Sequence, residues 1–184
     1  MRPTNNINKK YLFEYLVYLL EQWRQEEHCD FTEKFTKLKL QKILFLVASY
    51  NADKDNHPLL DVFNNFYALP YGPVEIDIYD YMNNSDFDYI SFQRNDCILN
   101  TNIKELENAK DESTKEAMTA MKESLDKIKN MGVDYIVMPT FDLVNITHKW
   151  TTWKIAMRVA EMLGQKRERM TTEDICNSAV KAYK

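Results

Sequence analysis

The segment KLKLQKILFLVASYN, residues 37 to 51, constrains this chain more than any other. Leu40, Ile43, Leu44 and Val47 recur at three- and four-residue intervals, the spacing by which one face of a helix meets a core. Phe45, Leu46 and Ala48 widen that stripe around most of the circumference. A helix apolar on most sides has to be surrounded, so helix 36–52, capped by Thr36, is predicted at the centre of the fold. Length and composition agree: 184 residues with 45% apolar and 28% charged can bury one sizeable core, and a single domain spanning 1–184 is expected.

The surroundings read as mostly helical. Tyr11, Leu12, Tyr15, Leu16, Leu19, Leu20 and Trp23 predict a helix over 8–27. Pro58 is read as ending any helix in the loop DKDNHPLLD, and LLDVFNNFYAL as extended. In YGPV, Gly72 suits an N-cap and Pro73 the first helical position, so a strand-to-helix elbow leads into helix 73–83. FDYISFQRNDCILN predicts a β-hairpin over about 87–100. STKE at Ser113 to Glu116 reads as a capping box for a helix running to a C′ glycine at Gly132. Leu143, Ile146, Trp150, Trp153, Met157, Ala160 and Leu163 keep helical spacing over 141–163, although Thr147 or Thr151 could start a new helix within it. TTED, residues 171 to 174, is a second capping box, for a last helix through Ile175, Ala179 and Val180. The expected class is α+β, predominantly α-helical, with a central buried helix and a small β-hairpin or short sheet.

Several chemistries leave no signature. There is no GxSxG elbow, no glycine-rich phosphate loop and no HExxH or EF-hand pattern, so no catalytic residue, metal or cofactor is assigned. Cys29, Cys97 and Cys176 have no paired spacing and read as reduced, mostly buried thiols. His28 and His57 lie in polar loops and read as solvated, whereas His148 sits on an apolar segment and should find hydrogen-bond partners in the core. No apolar run reaches the ~18 to 20 residues of a membrane span, and the N-terminus lacks a signal-peptide core, so a cytoplasmic location is expected. A net charge of −4 argues against a general nucleic-acid binder. Residues 154–184 carry seven basic against four acidic side chains, and their peak, QKRERM at 165–170, reads as solvated loop.

Three signatures in order carry a resemblance. TKLKLQKILF at 36–45, FYALPYGPV at 66–74 followed by Tyr79, and LVNITHKWTTWKIA at 143–156 together resemble the Panacea antitoxin domain, also described as SocA-like or GepA-type phage-associated. The matching positions are Lys39, Leu40, Gln41 and Lys42, then Phe66, Ala68, Gly72, Pro73, Val74 and Tyr79 with Tyr71 inside the motif, then Thr147, His148 and Trp153. Leu69 stands where the family often has tryptophan, Thr151 and Thr152 where a proline commonly precedes the last tryptophan, and residues 84–140 match no family pattern.

The resemblance, spanning about 8–183, implies a non-catalytic protein that neutralises a co-encoded toxin, often on phage-derived DNA, by direct protein–protein binding. It implies a glycine at the helix that lets backbone approach the KLQK helix closely. Because polar groups on apolar faces must find partners, the polar motif residues are expected to be mainly architectural, with Gln41 or Lys42 and His148 joining buried hydrogen bonds near the YGPV elbow and Trp153. The alternatives are a DNA-binding regulator of its own operon, an adaptor delivering a bound partner to a protease, and an enzyme using the His148 neighbourhood. Recognition is expected on the 84–112 hairpin region and on polar faces of neighbouring helices, where the sequence departs from the family.

Overall fold

The computed structural model describes residues 8–109 and 111–184. Helix α1 (Lys9–Glu27) begins where the Asn8 side chain accepts from the Tyr11 N–H, and α2 (Lys37–Tyr50) where the Thr36 hydroxyl accepts from the Lys39 N–H. Every residue of α2 from Lys39 to Ser49 is buried, as its all-round apolar character requires. Phe45 at its middle meets Phe66 and Trp150 edge-on, at 5.3 and 4.8 Å between ring centres. Leu44 has no exposed surface. Leu44→Ala is therefore expected to cost about 2 to 5 kcal/mol in a urea denaturation series, and a loss below about 1 kcal/mol would mean that α2 is not the centre.

Around α2 stand a short α3 (Pro58–Val62), the strands β1 (Phe66–Leu69) and β2 (Gly72–Glu75), α4 (Ile76–Asn84), the hairpin β3–β4 (Ile90–Gln93 and Asp96–Leu99) and a 3-10 helix (Ile103–Glu107). The second half adds α5 (Glu112–Asn130), α6 (Thr140–His148), α7 (Thr151–Met162), β5 (Glu168–Met170) and α8 (Thr172–Cys176). The fold is α+β and mostly helical, with an antiparallel sheet ordered β2-β1-β5 and the separate hairpin. Gly132 follows α5 at a positive φ, the expected C′ position, and Thr171 and Asp174 form the expected capping box.

Other expectations are corrected. Pro58 begins α3 rather than ending a helix, because the first helical position has no use for an N–H, and only the second half of LLDVFNNFYAL is strand. Gly72 and Pro73 open β2, and the elbow comes three residues later, where Glu75 caps α4. The cap of α5 is Asp111, whose carboxylate accepts from Thr114 N–H; Ser113 only donates to that carboxylate. Of the readings allowed for 141–163, the one with a new helix at Thr151 is what forms: the run is broken at Lys149–Trp150, and the C-terminal tail supplies the acceptors that α7 needs, the Val180 carbonyl for the Thr151 N–H and the Ser178 hydroxyl for that of Thr152.

The run QKRERM is half strand. Its last three residues pair antiparallel with β1, Met170 opposite Phe66, and bury Met170. Helix α8 stops at Cys176 instead of continuing through Val180. Of the thiols only Cys97 is buried, Cys29 being exposed and Cys176 intermediate. His28 and His57 are not simply solvated: their ring nitrogens lie 2.5 Å from Asp134 and 3.0 Å from Asp61.

Candidate functional site

Strands β1 and β2 join through a two-residue turn, Pro70–Tyr71, with Leu69 opposite Gly72. Proline second and glycine fourth is the preference of a type I turn, so LPYG is a turn signature. Gly72 has φ +93°, and a Cβ there would lie 2.4 Å from Thr147 Oγ1 and 3.3 Å from Lys42 Cε and Nζ. No side chain fits. The close approach expected of this glycine is real, and its nearest neighbour is Thr147 on α6, with Lys42 behind.

Strand β2 is an edge of its sheet, and two residues of α2 deal with that edge. In the register of β1 with β2, Pro73 and Glu75 have the same parity, so their free backbone groups point away from β1. Pro73 has no N–H to leave unpaired, and its carbonyl accepts from Lys42 Nζ at 2.6 Å. The Glu75 N–H donates to Gln41 Oε1 at 2.9 Å, and Gln41 Nε2 donates back to the Glu75 carbonyl at 3.2 Å. Gln41 thus stands in for a neighbouring strand. The QK pair of one motif and the GPV of another are two halves of one device, because an edge buried against a helix must have its backbone groups satisfied.

The third motif closes the hairpin tip from the other side. Trp153 Nε1 donates to the Leu69 carbonyl at 3.0 Å, and the His148 ring stacks on Trp153 at 3.8 Å and 12°. Thr147 is buried and donates to the Val144 carbonyl. Lys42, Gly72, Pro73, Thr147, His148 and Trp153 are therefore in one place, with Gln41 beside them. Lys39 is elsewhere, donating to the Ile136 carbonyl at 2.6 Å, and Tyr79 is exposed on α4. Tyr71 is exposed at the turn, edge-on to Phe141 at 6.4 Å.

Lys42 has no exposed surface and no carboxylate within ion-pair distance among the described residues, so burial pulls its amine down to about 7. Burial also holds His148 below the usual imidazole range; the Lys42 charge adds to this and the Pro70 carbonyl opposes it. Nε2 of His148 is buried without a hydrogen-bond partner among the described residues, which leaves the bonding expected of a core histidine incomplete. The amine has no surface through which a substrate would reach it. The bonds of the cluster hold the hairpin against α2 and α7.

Two buried carboxylates were missed by sequence reading. Glu75 accepts from Lys9 Nζ at 2.6 Å and from the Ile78 N–H at 2.9 Å, so it joins α1, β2 and the start of α4. Its place just before a helix was the available signal. Glu14 Oε1 accepts from the N–H groups of Asp88, Tyr89 and Ile90 at the start of β3, and nothing local in α1 announces that role. Among the described residues no three His, Cys, Asp or Glu side chains form a metal-holding group, and no helix is long and apolar enough to cross a membrane.

Among the described residues the large exposed apolar side chains are Tyr71, Tyr79, Met131, Val137, Phe141 and Val180, together with four on α7 and its end: Ile155, Val159, Met162 and Leu163. None lies in the 84–112 region, where recognition was expected. Compared with known proteins, the chain matches the model of one family, Antitoxin SocA-like, Panacea domain, over residues 40–154. The match runs from α2 to the first turn of α7 and takes in residues 84–140, which had been read as matching no family pattern; α1 and everything from Ile155 onward, which the resemblance over 8–183 had included, lie outside it. Neither curated proteins nor solved structures gave a match.

Proposed function

We propose, since the chain belongs to the SocA-like antitoxin family defined by the Panacea domain, that it silences a toxin encoded by a neighbouring gene through direct contact and without catalysis. It does so in the cytoplasm and as one unit spanning residues 1–184. The observation that carries this reading is the family match over residues 40–154. The geometry supports it from another direction. The most polar motif residues, Lys39, Gln41 and Lys42, have their donors engaged by backbone carbonyls of Ile136, Glu75 and Pro73, so the family signature serves as scaffold and leaves recognition to other surfaces.

The test is co-expression of the neighbouring reading frame with and without this chain, followed by co-purification. The neighbour should arrest growth alone, and growth should return in step with a stoichiometric complex. A neighbour harmless by itself, or toxic while this protein is folded and abundant, would sink the reading. Tryptophan at position 153 supplies an internal control. Trp153→Ala removes both the bond to Leu69 and the stack on His148, and it should lower the urea midpoint and neutralisation together.

A further inference from the structure

Helix α7 touches the body by a narrow stripe, Thr152, Ala156 and Ala160, whose small side chains let it lie close to β1 and β5. A helix seated that way is ordinarily polar elsewhere. Instead Ile155, Val159, Met162 and Leu163 follow one another at i, i+4, i+7 and i+8, and are 59%, 37%, 82% and 61% exposed. That is the spacing by which a helix packs against a second element, and no described residue covers it. Ile155 also borders a groove of about 900 Å³ beside α7, whose other apolar lining is Leu69, Pro70, Trp153 and Met157. Lys154, Arg158, Lys166 and Arg167 border this groove, with Glu161 the acidic exception.

We infer that the outer face of α7 and its groove are where the toxin docks, and that the docking segment is acidic and amphipathic; this rests on the antitoxin reading above. Charge decides the chemistry. Residues 154 to 170 hold five basic side chains against two acidic ones in a chain whose net charge is −4, so the local field attracts a partner of opposite sign. A second copy of this chain would set Lys154 and Arg158 against like charges across a two-fold axis, which disfavours self-pairing. Nucleic acid would use the basic rim but leave four large aliphatic side chains in water, whereas an apolar patch with a charged border is the form of a protein interface. The stripe begins one residue beyond the family match. The shared hairpin fixes α7 in place through Trp153, and the unshared face supplies specificity.

The experiment is co-purification of the neighbouring gene's product with the full chain, its Ile155→Asp/Met162→Asp and Lys154→Glu/Arg158→Glu variants, and Gln93→Lys on the β3–β4 hairpin as comparator. The four α7 positions and Gln93 are all exposed, so folding, checked by circular dichroism and urea midpoint, should be unchanged. Wild type and Gln93→Lys should retain the toxin, both α7 variants should weaken it at least tenfold, and added salt should weaken wild type. Retention within twofold by both α7 variants would overturn this inference and leave the antitoxin reading standing. No retention by wild type would overturn both. A free protein that is dimeric until α7 is altered, or that shifts duplex DNA until Lys154 and Arg158 are reversed, would assign the face to those partners instead.

Discussion

Gly72→Val should cost about 5 kcal/mol and leave little folded protein at 37 °C, a loss comparable to the whole stability of an ordinary domain. Three penalties combine. A Cβ at φ +93° carries strain of roughly 1 to 2 kcal/mol, and forcing it to 2.4 Å from Thr147 Oγ1 adds roughly 1 to 3 kcal/mol of overpacking. Pushing Lys42 off the Pro73 carbonyl strands two buried polar groups, for about another 1 to 3 kcal/mol. The milder Gly72→Ala separates the parts. Combined with Thr147→Ala it should recover the steric share but not the backbone share, a coupling of about 1 to 3 kcal/mol in a double-mutant cycle of urea denaturation. Strict additivity would mean that the contact with Thr147 is not what excludes a side chain here.

The same geometry explains which parts of the fold were readable in the sequence. Helix α2 announced itself because its own side chains carry the signal: eleven consecutive buried residues leave a mark no surface helix makes. The β3–β4 hairpin and the Gly132 and Thr171 caps are likewise local events, written in a few adjacent residues. What was left open or misread depends on partners far along the chain. The break before α7 exists because Ser178 and Val180 come back to bond its first N–H groups, and Trp150 turns inward to reach the Ala182 carbonyl. Strand β5 is only Glu168, Arg169 and Met170, made a strand by β1 and not by its own pattern. At the site, resemblance found the motif residues but not their arrangement. That Gln41 and Lys42 complete the edge of β2 follows only once Pro73 is seen to sit in a strand, not at a helix start.

Stability should pass through a minimum near pH 7, because two buried groups titrate there with opposite consequences. Burial raises the Glu14 carboxyl from 4.5 to about 7, although three backbone N–H groups favour its charged form. Its contribution is complete below pH 4.5 and is lost as pH rises through 7, since only the folded chain keeps the proton in that window. Lys42 runs the other way. Its amine falls from 10.5 to about 7, so above pH 7 the unfolded chain binds the extra proton and stability rises. The slope approaches about 1.4 kcal/mol per pH unit, which amounts to roughly 2 kcal/mol between pH 7 and 9. Other groups bound the window. His148, held by burial below its usual range, opposes Glu14 on the acid side; the Cys97 thiol, raised from 9.0 to about 12, and the Cys176 thiol, also raised by burial, oppose Lys42 above pH 9; and Lys39, lowered by burial, adds to the rise that Lys42 gives. Urea denaturation at pH 5, 7 and 9 reads both limbs. Lys42→Met should flatten the alkaline limb and spare the acid one, and Glu14→Gln should do the reverse. A wild type equally stable at pH 7 and 9, or a Lys42→Met variant that keeps the rise, would show that the amine on the Pro73 carbonyl stays charged, and that the edge of β2 is held by an ion rather than by a neutral donor.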